Sequence, residues 1–165
     1  MLERRPTSLR FLFLGFAALS LLALSCSEDP STQVVVLMDT DYVVPTDVDR
    51  IRARVLKVSE DGVGETETWS QEFLLSSEEE PGPGLYSLPA SFGVVPAEGA
   101  MDRGIVIEVE ALRSGSDAPL VKRRVRTGFI EGKFLVVRML LYRACTDMIC
   151  AEGESCGCED AAACL

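Results

Sequence analysis

Cysteine is the residue type with the widest range of possible chemical roles in this sequence. Five of the six cysteines lie within a span of twenty residues near the C-terminus, at positions Cys145, Cys150, Cys156, Cys158 and Cys164. Thiols so close together could form disulfides, bind zinc as thiolates or act as a redox pair. The segment has no Cys-x-x-Cys pair and no histidine, which disfavours zinc. It also holds five acidic residues and no basic one to lower a thiol pKa, which disfavours redox catalysis.

Catalytic residue types are scarce elsewhere. The chain contains no histidine, the commonest general base and the commonest zinc ligand. A serine nucleophile would need Lys57, Lys122 or Lys133 as its base, and none of them lies in a Ser-x-x-Lys arrangement. We therefore expect no enzymatic activity and no cofactor.

Two aspartate pairs, Asp39 with Asp41 and Asp47 with Asp49, could attract calcium, because hard cations prefer carboxylate oxygens. They do not match an EF-hand loop, which needs a glycine at a fixed position and a closing glutamate. Solvated turns at strand ends explain them more simply, so we expect no metal site. A calcium-stabilised adhesion or sensor module that uses these acidic loops is the alternative function.

Charge narrows the range of partners. The chain carries 16 basic and 26 acidic residues, a formal net charge of −10. Loss of residues 1–25 would leave 13 basic and 25 acidic residues, a formal −12. Nucleic acid needs a basic binding face, so we exclude it as a partner. Attraction to anionic lipid headgroups by charge alone is disfavoured for the same reason.

The N-terminus has the layout of an export signal. Arg4, Arg5 and Arg10 form a basic start, and an apolar run of 14 residues follows at 11–24. That run suits a signal peptide and is shorter than the roughly 20 residues that span a bilayer. The segment could be cleaved at an ordinary signal-peptidase site, Ala23-Leu24-Ser25, or stay uncleaved as a membrane anchor. The uncleaved anchor is disfavoured because no basic cluster follows the run to stop transfer. A third possibility is cleavage with attachment of lipid.

The stretch Leu22-Ala23-Leu24-Ser25-Cys26 resembles the lipobox of bacterial lipoproteins, apart from Ala23, where leucine is more usual. The resemblance implies that Cys26 becomes the mature N-terminus and carries a diacylglycerol on its sulfur and usually an acyl chain on its amine. Because each buried methylene contributes about 0.8 kcal/mol, two or three chains would hold the protein firmly to a membrane. Ser27 in place of aspartate implies an outer-membrane location in the bacterial envelope.

Export makes disulfides the expected state of the C-terminal cysteines, since a short, glycine-rich segment has no apolar core of its own. Five is an odd number, so we expect two disulfides and one unpaired thiol. We expect Cys156 or Cys158 to be the unpaired one, because a bridge between them across a single glycine would be strained.

The rest of the sequence has the period-two alternation of β-strands. Strands are predicted over Val34–Met38, Asp49–Val58, Trp69–Leu75, Ile105–Glu110, Val121–Phe129 and Phe134–Tyr142, with a weaker one over Leu85–Val95 that Pro89 breaks. About seven short strands separated by turn signals predict an all-β chain, a single antiparallel β-sandwich of the immunoglobulin or transthyretin-like kind. The predicted organisation is a cleaved signal peptide (1–25), a lipidated cysteine and tether (26–33), the sandwich (34–143) and a cysteine-rich acidic tail (144–165).

Two side-chain predictions accompany this sandwich. Trp69 should be a core anchor. On neighbouring strands, Glu108 and Glu110 should face outward, opposite Arg126 and Arg124 respectively.

The phrases Ser91-Phe92-Gly93-Val94-Val95-Pro96 and Arg126-Thr127-Gly128-Phe129, followed by a cysteine-rich end, resemble those of envelope lipoproteins with a sandwich body. The resemblance supports the architecture and implies no activity. We therefore expect a lipid-anchored protein with a binding or structural role, whose protein or glycan partner the sequence does not identify.

Overall fold

Eight β-strands make up the described part of the chain, which comprises residues 31–148, 150, 151, 154 and 156 of a computed structural model. Cys26, Cys158, Cys164 and the predicted signal peptide lie outside these residues. The strands are β1 (Gln33–Thr40), β2 (Arg50–Val58), β3 (Glu65–Leu75), β4 (Leu85–Tyr86), β5 (Ala90–Val94), β6 (Ile105–Leu112), β7 (Val121–Thr127) and β8 (Phe134–Leu141). A short 3₁₀ helix, Arg143–Cys145, follows β8.

The strands form two sheets. The three-stranded sheet has the order β5-β1-β8, and the five-stranded sheet has the order β4-β3-β2-β6-β7. The prediction of an all-β chain is confirmed, and the two packed sheets agree with a β-sandwich. Among the described residues, no helix is long and apolar enough to cross a membrane.

The expectation of wholly antiparallel pairing is wrong at two places. β1 runs parallel to β8, and β3 runs parallel to β4. The first case arises because β7 and β8 belong to different sheets, so β8 crosses over and runs beside β1 in the same direction. In the second, the loop over 76–84 leads back so that Leu85 pairs with Leu74 near the end of β3.

The predicted break at Pro89 is confirmed, and the two pieces of this strand belong to different sheets. The segment Leu85–Val95 divides around Pro89 into β4 in the five-stranded sheet and β5 in the three-stranded sheet. Proline has no backbone N–H to donate to a ladder, so a continuous strand through this point is disfavoured.

The core lies between the inner faces of the two sheets. In β1, buried Val34, Val36 and Met38 alternate with less buried residues, and in β2 buried Ile51 and Ala53 do the same. Inward residues of β3, β6 and β8 complete the cluster. Trp69 is partly buried and packs against this cluster, as expected of an anchor, with its ring stacked on Phe92 at 4.9 Å between centroids.

Candidate functional site

Exposed apolar side chains surround the end of the three-stranded sheet where the chain arrives from the tether. β1 and β8 both begin at this end, and the antiparallel β5 finishes there. The chain is held there by two hydrogen bonds, from the Gln33 N–H to the Lys133 carbonyl (3.1 Å) and from the Gly132 N–H to the Thr32 hydroxyl (2.8 Å). We define the tether-end patch as Val35, Val95, Ile130, Phe134 and Val136.

Three of the patch residues, Val35, Phe134 and Val136, lie on the outer face of the three-stranded sheet, and Val95 and Ile130 are exposed beside its end. Leu135 and Val137 pack against the core. Because side chains alternate between the two faces of a strand, Phe134 and Val136 face outward. Phe134 is 63% exposed, Val136 is 55% exposed and Val95 is 65% exposed. Val35 lies between buried Val34 and Val36 and pairs with Val136. The first half of β8 thus carries apolar residues on both faces. One face packs against the core, and no described element covers the other.

The outer face of the five-stranded sheet is chemically the opposite. Its neighbouring strands carry alternating charge, which we call the charge ladder: acidic on β3, basic on β2, acidic on β6 and basic on β7. Its members are Glu67, Glu72, Arg50, Arg52, Arg54, Glu108, Glu110, Lys122 and Arg124. Each acidic column lies beside a basic one, so the four acidic and five basic members largely compensate one another.

Arg54 is at the centre of this ladder. Its guanidinium donates to both Glu108 and Glu110, the latter at 2.8 Å. Lys122 approaches Glu108 from the other side at 3.2 Å. On the β3 side, the Arg52 guanidinium donates to Glu72 at 2.7 Å, and this bond holds the pKa of the Glu72 carboxyl below its ordinary value.

The structure corrects the sequence prediction for the two glutamates. Glu108 and the basic Arg124 share one face of the sheet as expected, but the register is shifted: Glu108 pairs with Arg124, and Glu110 pairs with Lys122. Both glutamates are buried, at 6% and 4% exposure, rather than exposed. They are covered because long basic side chains from both neighbouring strands converge on them.

The acidic turns are occupied by protein donors. Asp41 accepts the backbone N–H of Arg143, and Asp47 forms an ion pair with the Arg143 side chain. Asp49 accepts the backbone N–H of Ser114 at 2.9 Å. Within the described ranges, no group of three or more histidine, cysteine, aspartate or glutamate residues is placed to hold a metal ion.

Part of the C-terminal segment closes the opposite end of the sandwich. Cys145 and Cys156 form a disulfide with a Cα separation of 5.8 Å, and both are buried in the main core. Cys150 is also disulfide-bonded. Cys156 is therefore not the unpaired thiol, and the other candidate, Cys158, lies outside the described residues.

Tyr42 fastens this segment to the sandwich. Its hydroxyl and that of Thr146 are 2.6 Å apart, and the Arg143 guanidinium lies 5.5 Å from the centre of its ring. Burial raises the pKa of the Tyr42 phenol, and the hydrogen bond with Thr146 opposes that rise.

A small apolar notch opens between the sheets beside Trp69. Its volume is about 220 Å³, and its walls include Val55, Phe92, Val94 and the patch residue Val95. Nothing polar converges on it to orient a ligand, since Thr68 donates its hydroxyl hydrogen to the Val55 carbonyl.

The tether-end patch was not identified from the sequence. One signal was present: the predicted strand Phe134–Tyr142 is apolar at both parities, whereas a strand with one wet face alternates. No family model matches the chain, and no curated protein or solved structure is significantly similar to it.

Proposed function

We propose that this protein is a lipid-anchored protein of the bacterial envelope, held at the outer membrane through Cys26, with a binding or structural role and no catalysis. The anchor in this proposal rests on the resemblance of Leu22-Ala23-Leu24-Ser25-Cys26 to a lipobox, and the binding role rests on the tether-end patch. A protein surface that stays in water seldom gathers exposed Phe134, Val136 and Val95 in one place. Such a patch is typical of a contact surface.

The finer architecture belongs to the same proposal. The five-stranded sheet is antiparallel except for its short β4 edge, and the first and last strands of the chain lie side by side. These features support a sandwich of the immunoglobulin or transthyretin-like kind. Folds of this kind commonly display binding surfaces on a rigid scaffold, which suits a protein or glycan partner.

The test is acylation of the full-length chain in a Gram-negative host supplied with a clickable fatty acid. We expect the wild-type protein to be labelled and to fractionate with the outer membrane. Cys26→Ala should abolish the label, because the attachment atom is gone. Cys158→Ala is the matched control and should keep it. A wild-type protein whose intact mass shows a free N-terminal thiol would contradict the proposal.

A further inference from the structure

We infer that the tether-end patch rests on the lipid surface that holds the anchor, so that the sandwich lies against the bilayer rather than free of it. This inference rests on the proposed lipidation of Cys26. It goes further by assigning an occupant, the acyl and headgroup boundary of the membrane, to a specific surface of the sandwich.

Chain length places the patch within reach of the membrane. Cys26 and Gln33, the first residue of β1, are seven positions apart, with six residues between them. Fully extended, such a segment spans at most about 25 Å. Gln33 pairs with Phe134, and hydrogen-bonded strands are about 4.8 Å apart. A lipid on Cys26 would therefore keep Phe134 within about 30 Å of the membrane surface, so the patch can reach it.

The chemistry of the patch suits lipid better than water. Its five members are valine, isoleucine and phenylalanine, and none carries a charge or a side-chain hydrogen-bonding group. Binding to a membrane boundary strengthens with the apolar area that is buried there. Lys133 and Glu131 beside the patch are both exposed and carry opposite charges, so they add no net charge, and the contact depends on the apolar members. The tether contributes by making this contact effectively intramolecular, so a weak contact suffices.

A second copy of the chain fits the patch less well. A stable protein interface uses about 20 to 30 residues on each side, and the patch has five. Two mature chains would each carry a formal charge of −12, which opposes their association. Contact with an uncharged lipid surface needs no interface of this size and meets no such charge repulsion.

The test places a fluorescent probe in the patch. Full-length, lipidated protein carrying Trp69→Phe and Phe134→Trp has its single tryptophan at the patch, because the chain has only one natural tryptophan. It is reconstituted into phosphatidylcholine vesicles with or without bromine on the acyl chains. We expect brominated lipid to reduce the emission at least twofold. Val95→Trp in the same background is a second probe, and it should be quenched as well.

The matched control is Val43→Trp in the same Trp69→Phe background. Val43 is 54% exposed and lies in the β1–β2 loop, at the opposite end of β1. We expect its emission to change by less than a fifth, since bromine quenches only over short distances.

The outcomes separate the two proposals. Protein that fails to float with vesicles lacks the anchor, and the proposed function then fails. Protein that floats but shows no more quenching at Phe134 and Val95 than at Val43 keeps its anchor and overturns the inference. Efficient cross-linking between copies through the patch, with no quenching, would assign the patch to self-association and also overturn it.

Discussion

At the residue scale, the charge ladder shows how an acidic protein can bury two carboxylates. Glu108 and Glu110 are nearly inaccessible, yet each has a basic partner within hydrogen-bonding distance. Ionised groups are tolerated away from water only when they are paired in this way. Arg54 contacts both glutamates, so much of the compensation depends on one side chain.

Arg54→Ala should therefore lower the free energy of unfolding by about 2 to 3 kcal/mol, somewhat less than for a fully buried pair because part of Arg54 is accessible. The measurement is the midpoint and slope of urea unfolding. Arg138→Ala, on the exposed face of β8, is the control, and its effect should stay within about 0.5 kcal/mol. Equal stabilities of the two variants would show that the ladder is not an energetic unit.

Tyr42 provides a second prediction, based on its titration. Its folded-state pKa is raised above the ordinary value of about 10. The stability from its burial is therefore fully present below about pH 10 and is lost as the pH rises through the folded pKa. Phenolate absorbance should show a late-titrating component that Tyr42→Phe removes and Tyr86→Phe keeps. Retention of that component in Tyr42→Phe would refute the assignment.

At the element scale, the described residues of the C-terminal segment are part of the sandwich rather than an appendage. Cys145 and Cys156 lie in the main core, and the Asp147 N–H donates to the Leu120 carbonyl just before β7 at 3.2 Å. The disulfide links two positions within the segment. Because both cysteines are buried in the core, the bond also packs the segment against the two sheets. Loss of that bond should affect the whole domain.

The double variant Cys145→Ala/Cys156→Ala should lose about 3 kcal/mol of stability, the value for closing a loop of this length. Thermal unfolding followed by circular dichroism should show one transition at a lower temperature, because the segment shares the sandwich core. Reduced wild-type protein should fall at least as far. A separate early transition, with the main one unmoved, would indicate an independent tail.

At the scale of the whole molecule, charge and apolar surface act in opposite directions. A net negative charge disfavours contact with anionic surfaces, and basic residues of the charge ladder are paired with acidic ones, while the tether-end patch offers uncharged contact. The proposed membrane contact should therefore be driven by apolar burial and not by attraction between charges.

This balance gives a further prediction for the Phe134→Trp probe in brominated vesicles. Raising the salt concentration to about 1 M shortens electrostatic reach to about 3 Å, yet the quenching should persist. Replacing part of the phosphatidylcholine with anionic lipid should leave it equal or weaken it, because like charges repel. Quenching that requires anionic lipid and disappears in salt would contradict an apolar contact.

The sequence alone determined the class of fold and the positions of most strands. Alternation in segments such as Val34–Met38 and Asp49–Val58 is a local property, because side chains on a strand point to opposite faces in turn. Turn residues and Pro89 were local signals too, although the division of Leu85–Val95 between two sheets was not foreseen. The sequence also shows directly that the chain has no histidine.

Tertiary structure decided everything that depends on which strands become neighbours. Three features depend on contacts that the local sequence does not specify. They are the parallel pairing of β1 with β8, the burial of Glu108 and Glu110, and the choice of Cys145 and Cys156 as disulfide partners. The tether-end patch belongs here as well. Phe134 and Val136 are ordinary strand residues until β8 pairs with β1, and no described element covers their outer face, so they remain exposed to solvent.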